Sequence, residues 1–339
     1  MTEVISSRKG LQRLAVRMPD GSAARAYALT ELVGDARVGD RVVCNTTAVD
    51  LALGTGGWHF VHWNTSRDSL DLPGPDHIMK MRYTSLQADV GTSELEYPGE
   101  SDRPLQGTPV VVCSVHSQVA LVALGFASAM PGGRLAYVMT DGAALPLALS
   151  DLVEHLRERD LIVGSVTSGH AFGGDLEAVT VPSALGLAAH VLRADAVVVG
   201  MGPGVVGTGT SMGTTAIEAA ALLDAASARG GTPVMCVRAS EGDRRERHVG
   251  VSHHVVTTLA LASTEPLVAP EPPEVAGLEG LRCSEPLTAP DPRELQDRFG
   301  IEVTTMGRRY EEDPVFFRAA VAAGVLAAEV AKGGPSEER

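Results

Sequence analysis

The residues best suited to chemistry fall in the second half of the chain, and the sharpest pattern is a glycine run. Gly202-Pro-Gly204-Val-Val-Gly207 has the G-x-G-x-x-G spacing and continues as Thr208-Gly209-Thr210-Ser211. It follows an apolar run of strand length and precedes a helix-length segment, the context that such a motif requires. Glycine permits positive φ and close backbone approach, so successive N–H groups and a helix N-terminus can face an anion. The spacing predicts an anion or phosphate cradle formed by Gly202, Gly204, Gly207, Thr208, Gly209 and Thr210. Two competing readings stay open. One is a dinucleotide fingerprint, against which stand Pro203 inside the motif and the lack of a clear ribose-binding acid. The other is a tight turn needed only for packing.

Four histidines, His116, His170, His248 and His253, fall at expected strand ends or helix starts, whereas His155 and His190 lie within helices and read as plain surface or core residues. With Asp141, Asp175 and Glu177 nearby, the four could perform acid–base catalysis, bind a metal, or make structural hydrogen bonds. The expected roles are His116 or His170 as general acid or base, with Asp141, Asp175 or Glu177 orienting it. No H-E-x-x-H or H-x-H spacing occurs, so a metal site would draw on distant segments, and metal and cofactor stay unassigned. His253 and His254 are neighbours on a helix and are expected to point in different directions, so that at most one faces the site.

Arg238, Arg244, Arg245 and Arg247 form a basic cluster in an acidic chain. It reads either as a solvated turn or, with Arg238, His248 and His253, as a clamp on a substrate anion. Ser114 and Ser117 flank His116, but the G-x-S-x-G elbow is absent. No G-x-x-x-x-G-K-[ST] occurs, and no lysine lies between Lys80 and Lys332. That excludes an ordinary P-loop NTPase and Schiff-base catalysis in this region.

These groups can act together only if the fold carries them to one edge. From Thr108, apolar runs of strand length recur at Pro109–Cys113, Leu135–Met139, Leu161–Val166, Ala196–Val199, Pro233–Val237 and Pro266–Val268. Helix-length segments separate them, and starts spaced by about 25 to 37 residues match βα units. Runs that are apolar throughout fit strands covered on both faces. The expectation is an α/β fold with a doubly wound, mainly parallel sheet and helices on both faces, whose ligands sit outside the carboxyl ends of the strands. Residues 1–100 read instead as a small β-barrel-like domain with its connection, from the alternation in Leu11–Arg17 and the turn Pro19-Asp20-Gly21. His77–Tyr83 is one further expected strand. Residues 101–332 form the α/β domain, with 269–312 as a Pro-rich wrap and a helix over 313–332 that Asp313-Pro314 should cap and open. Residues 333–339 read as a disordered tail.

Composition bounds the rest. The 339 residues carry 28 Lys+Arg against 42 Asp+Glu, a formal charge of −14, which argues against a nucleic-acid partner. Four separated cysteines indicate neither a disulfide framework nor structural zinc. The N-terminus lacks a signal-peptide pattern, and stretches such as Val119–Met130 are too short for the roughly 20 residues that span a bilayer. A cytosolic setting with no membrane partner is expected.

The chain also resembles a bacterial family catalogued as domain of unknown function 3866. The resemblance rests on Asn45-Thr-Thr-Ala-Val-Asp-Leu with Leu53-Gly-Thr-Gly-Gly57, His77-Ile-Met-Lys-Met-Arg-Tyr83, Val115-His-Ser-Gln118 and Gly169-His-Ala-Phe-Gly-Gly-Asp175. Met201–Thr210, Arg247-His-Val-Gly-Val-Ser-His-His254 and Asp313-Pro-Val-Phe-Phe317 complete the set. It implies a cytosolic protein and no assigned activity. The residues themselves lead to an expected hydrolase or transferase acting on a small phosphorylated or carboxylated metabolite. The alternatives are a non-catalytic metabolite binder or scaffold, and an adenosylmethionine- or dinucleotide-dependent enzyme. The apolar face of the C-terminal helix also suggests a homodimer.

Overall fold

In the computed structural model, which describes residues 1–333, the chain divides into two units after Thr92. In the first, β1 (Glu3–Arg8), β2 (Leu11–Arg17), β3 (Ala23–Leu29), β4 (Val42–Asn45) and β5 (Trp58–Asn64) form one mixed sheet in the order β1-β2-β3-β5-β4. Alternation along β2 buries Leu11, Leu14 and Val16. The Pro19-Asp20-Gly21 turn joins β2 to β3 as the sequence predicts, with Gly21 N–H donating to the Met18 carbonyl. Two single-turn helices, α1 (Thr30–Val33) and α2 (Thr47–Asp50), flank the sheet strands in sequence. The strand expected over His77–Tyr83 shrinks to β6 (Met79–Lys80), paired with β7 (Ala88–Asp89). Met81 and Tyr83 take positive φ, which a continuing strand cannot accommodate.

The second unit begins with the short helix α3 (Pro98–Asp102) and is built on an eight-stranded, all-parallel sheet. Its strands are β8 (Pro109–Val112), β9 (Leu135–Thr140), β10 (Gly164–Thr167), β11 (Leu176–Glu177), β12 (Ala196–Met201), β13 (Thr232–Met235), β16 (Leu267–Val268) and β17 (Arg282–Cys283). They lie in the order β11-β10-β9-β12-β8-β13-β16-β17. A separate two-stranded ladder pairs β14 (Ala239–Ser240) with β15 (Gly250–Val251).

Successive strand residues feed opposite cores, as full burial on both faces requires. Val111, Tyr137 and Val198 face α4 (Ser117–Ala129), α5 (Asp151–Glu158), α9 (Pro292–Phe299) and α10 (Pro314–Ala331). Val110, Val138 and Val199 face α6 (Val181–His190), α7 (Glu218–Ala228) and α8 (His253–Leu261). The doubly wound arrangement is therefore present.

Within the expected Pro-rich wrap, Asp291-Pro292 starts α9, with the Asp291 carboxylate accepting from Arg293 N–H. Helix α10 is long and apolar enough to cross a membrane, but it is mostly buried, lying along α4. A Cβ on Gly125 would strike the Val321 carbonyl, and one on Gly324 the Val122 carbonyl, so the two helix backbones approach as only glycine allows. That apolar face is covered within the chain, and a homodimer would have to use another surface. Residues 334–339 of the expected tail lie outside the described residues.

Candidate functional site

Because the large sheet is all parallel, the segments after β8, β9, β10, β12 and β13 emerge at one carboxyl edge. They hold nearly every site residue expected from sequence, in three neighbourhoods.

The first joins the ends of β8 and β12. His116 Nδ1 lies 3.1 Å from the Met201 carbonyl, and Nε2 lies 2.6 Å from Ser150 Oγ. A carbonyl only accepts, so Nδ1 carries the ring proton and Nε2 receives the Ser150 hydroxyl. Ser150 also caps α5, accepting from Val153 N–H. Burial pulls His116 down to about 4, so the ring is neutral at neutral pH. A serine donating to a histidine that a third group orients is the arrangement that activates a nucleophile. Here it also ties a helix cap to the sheet.

At the ends of β9 and β10, Asp141 accepts from the backbone N–H of His170 at 2.9 Å, so the contact between these two expected partners runs through the His170 backbone. Beside them Glu218, in the first turn of α7, accepts from Thr140 Oγ1 at 2.6 Å. Burial, reinforced by the Asp141 charge, raises Glu218 to about 7 despite that hydrogen bond. A carboxyl group titrating near neutrality is poised for proton transfer. No motif or spacing marks Glu218 as a site residue; the available signal is an acid in the opening turn after a glycine-rich loop.

The third neighbourhood follows β13. Arg238 is 5% exposed and donates from Nη1 to His254 Nδ1 at 3.0 Å. Burial and the neighbouring Arg245 draw the guanidinium down to about 10, still a cation at neutral pH. His248 Nδ1 lies 2.7 Å from Ser252 Oγ, and the His253 and His254 rings are 4.3 Å apart. The expectation that His253 and His254 diverge is therefore corrected. Both occupy the first turn of α8, where side chains lean back toward the helix N-terminus. There they converge on His248, whose centroid is 5.0 Å from His253 and 4.8 Å from His254. Burial lowers all three histidines and Arg238 adds to it, with His248 near about 4 and His254 near about 3.

Two carboxylates brace this neighbourhood. Asp243 accepts from Arg245 and Arg308, and Arg245 holds it well below the usual carboxylate range. Asp313, fully buried, accepts from Ser240 Oγ, the N–H groups of Glu241 and Gly242, and Arg308 Nε. It was expected to cap α10, but its side chain makes no cap bond there because the 240–242 turn takes it.

The glycine run forms a largely exposed excursion between β12 and α7. Gly207 bridges to Thr214, Thr208 N–H donates to the Gly213 carbonyl, and Gly213 N–H donates to Thr210 Oγ1. Amides expected to face an anion are thus partly used inside the loop, and α7 opens on the acidic Glu218. Gly204 lies at an open turn. Gly202 is buried, and a Cβ there would meet the Ala144 carbonyl at 2.7 Å, so this glycine serves the approach of the loop after β9. Gly209 lies beside the Arg247 guanidinium, which links the loop to the third neighbourhood.

Asp175 departs from the expected constellation. It accepts from Ser165 N–H at 2.8 Å near the start of β10 and pairs with Arg157, away from the carboxyl edge. Glu177 accepts from Thr167 Oγ1 and Gly173 N–H, a tie between the edge strand and its loop. Two clefts, of about 830 Å³ on the N-terminal sheet and about 460 Å³ beside α9, include none of the edge residues.

The chain belongs to a family described as protein of unknown function (DUF3866), whose model matches residues 25–324. No curated protein and no solved structure matches it.

Proposed function

For this family member, we propose that the carboxyl edge of the parallel sheet binds a small phosphorylated or carboxylated metabolite and that the protein acts on it as a hydrolase or transferase. The observation that carries the reading is Arg238, a buried cation whose hydrogen bond goes to a neutral histidine instead of a carboxylate. Burying a guanidinium costs several kcal/mol unless something negative compensates. The nearby carboxylates Asp243 and Asp313 lend Arg238 their charge but give their hydrogen bonds to Arg245 and Arg308, so an anion from solution would be the first acidic group to pair with it directly. Arg247, against Gly209, extends the positive surface. In this scheme Glu218 exchanges the proton, and the His116–Ser150 pair supplies an activated hydroxyl to an acyl or phosphoryl centre.

A non-catalytic binder is the second reading, favoured by the cap bond that holds Ser150. The dinucleotide and adenosylmethionine readings lose ground because several loop amides bond internally and α7 begins with an acid. The deciding experiment screens phosphorylated and carboxylated metabolites by thermal shift, then recovers each stabilising ligand. A ligand returned chemically altered supports the enzyme, one returned intact supports the binder, and no stabilisation by any anion removes both.

A further inference from the structure

Outside the anion reading, the histidine cluster has a property of its own. One ring nitrogen from each of His248, His253 and His254 lies within 4.8 Å of the others. Ligand nitrogens around a tetrahedral zinc ion, bonded at 2.0–2.1 Å, sit roughly 3.3 Å apart, so modest ring adjustments would close the set. His253 Nε2 is buried and has no hydrogen-bond partner, an unpaired polar atom that a protein interior rarely leaves. The Ser252 hydroxyl holds His248 by Nδ1, which fixes the ring and leaves Nε2 as its coordinating nitrogen.

We propose that His248, His253 and His254 form a three-histidine site for a divalent first-row transition ion, with an open coordination position. Imidazole donors select zinc, copper, nickel or cobalt over magnesium and calcium. Arg238 opposes the ion in two ways: its charge repels a cation, and its bond to His254 Nδ1 occupies that ring. Metal uptake therefore requires His254 to release Arg238. The freed guanidinium then faces the open position, where an oxyanion would sit between it and the ion. That last step rests on the anion reading above; the metal site does not.

The test uses the untagged full-length protein, stripped with chelator and titrated with Co²⁺ and Zn²⁺. One Co²⁺ per chain, visible bands of a four-coordinate site and displacement by equimolar Zn²⁺ are expected. His253→Ala and His248→Ala should each weaken Co²⁺ binding at least tenfold, with circular dichroism and melting showing that each variant folds. Should His248→Ala fail to fold, His253→Gln, at the least buried of the three rings, decides the matter. Arg238→Gln should bind Co²⁺ as tightly as the parent or tighter, while losing affinity for inorganic phosphate. Absence of uptake at micromolar Co²⁺, or uptake undiminished in the folded His253 variants, overturns the site. Phosphate binding measured without metal stands or falls separately, so failure of one reading does not hide failure of the other.

Discussion

Arg238 donates to Nδ1 of His254 across 3.0 Å, a buried cation bonded to a neutral ring. A guanidinium donates only, so this bond places the His254 proton on Nε2. The pair thereby presents two donors of one kind at the end of β13, which suits an oxyanion.

Arg238→Gln should therefore weaken inorganic phosphate binding at least tenfold in calorimetric titration, and Arg238→Lys should recover only part of it. An ammonium carries the charge without the planar fork. Equal affinity in all three proteins would remove Arg238 from the site.

Glu218 gives stability a pH dependence of unusual sign. The folded state holds its proton to about 7, whereas the unfolded chain releases it near the ordinary glutamate value of 4.5. Between those values the native state binds more protons, so stability falls as pH rises across that window, by on the order of 3 kcal/mol. Glu218→Gln should abolish that component in denaturant titrations from pH 4.5 to 7.5.

His116 works the other way. Its folded value is about 4 and its ordinary value 6.5, so the unfolded state takes up the proton first and stability is lost as pH falls from 6.5 toward 4. The buried histidines after β13 share that direction. His116→Asn should flatten the acid limb relative to the parent, by on the order of 3 kcal/mol. An unchanged acid limb would mean the ring is not held neutral.

Asp313→Ala removes a fully buried acceptor for four donors and leaves the partly exposed Arg308 half-paired. A loss of about 3–5 kcal/mol in urea unfolding is expected, the range for breaking a buried charged network. Faster amide exchange should appear in residues 240–243 first.

Gly125→Val should separate α4 from α10, because the new side chain meets backbone at Val321. Overpacking of this kind costs about 1–3 kcal/mol or more, and a melting temperature within a degree of the parent would refute the close crossing.

Much of the fold was legible in the chain because it is written in local periodicity. Fully apolar runs of strand length separated by helix-length segments specify strands buried on both faces, and those runs became β8, β9, β10, β12 and β13. The same logic placed His116, His170, Gly204, Arg238 and His248 at one edge, since parallel strands share a carboxyl end. Asp291-Pro292 carried the same helix-start signal as Asp313-Pro314, yet surrounding prolines masked it.

Partnership was beyond reach of the sequence. Which donor claims Asp313, whether His253 and His254 converge, and how Asp175 is spent on Ser165 and Arg157 all depend on where distant backbone lies. Hydrogen bonds go to the nearest available partner in space, and for these residues that partner sits as many as 73 positions away along the chain. Glu218 shows the same limit for chemistry, since its proton affinity comes from burial beside Asp141, set by tertiary packing.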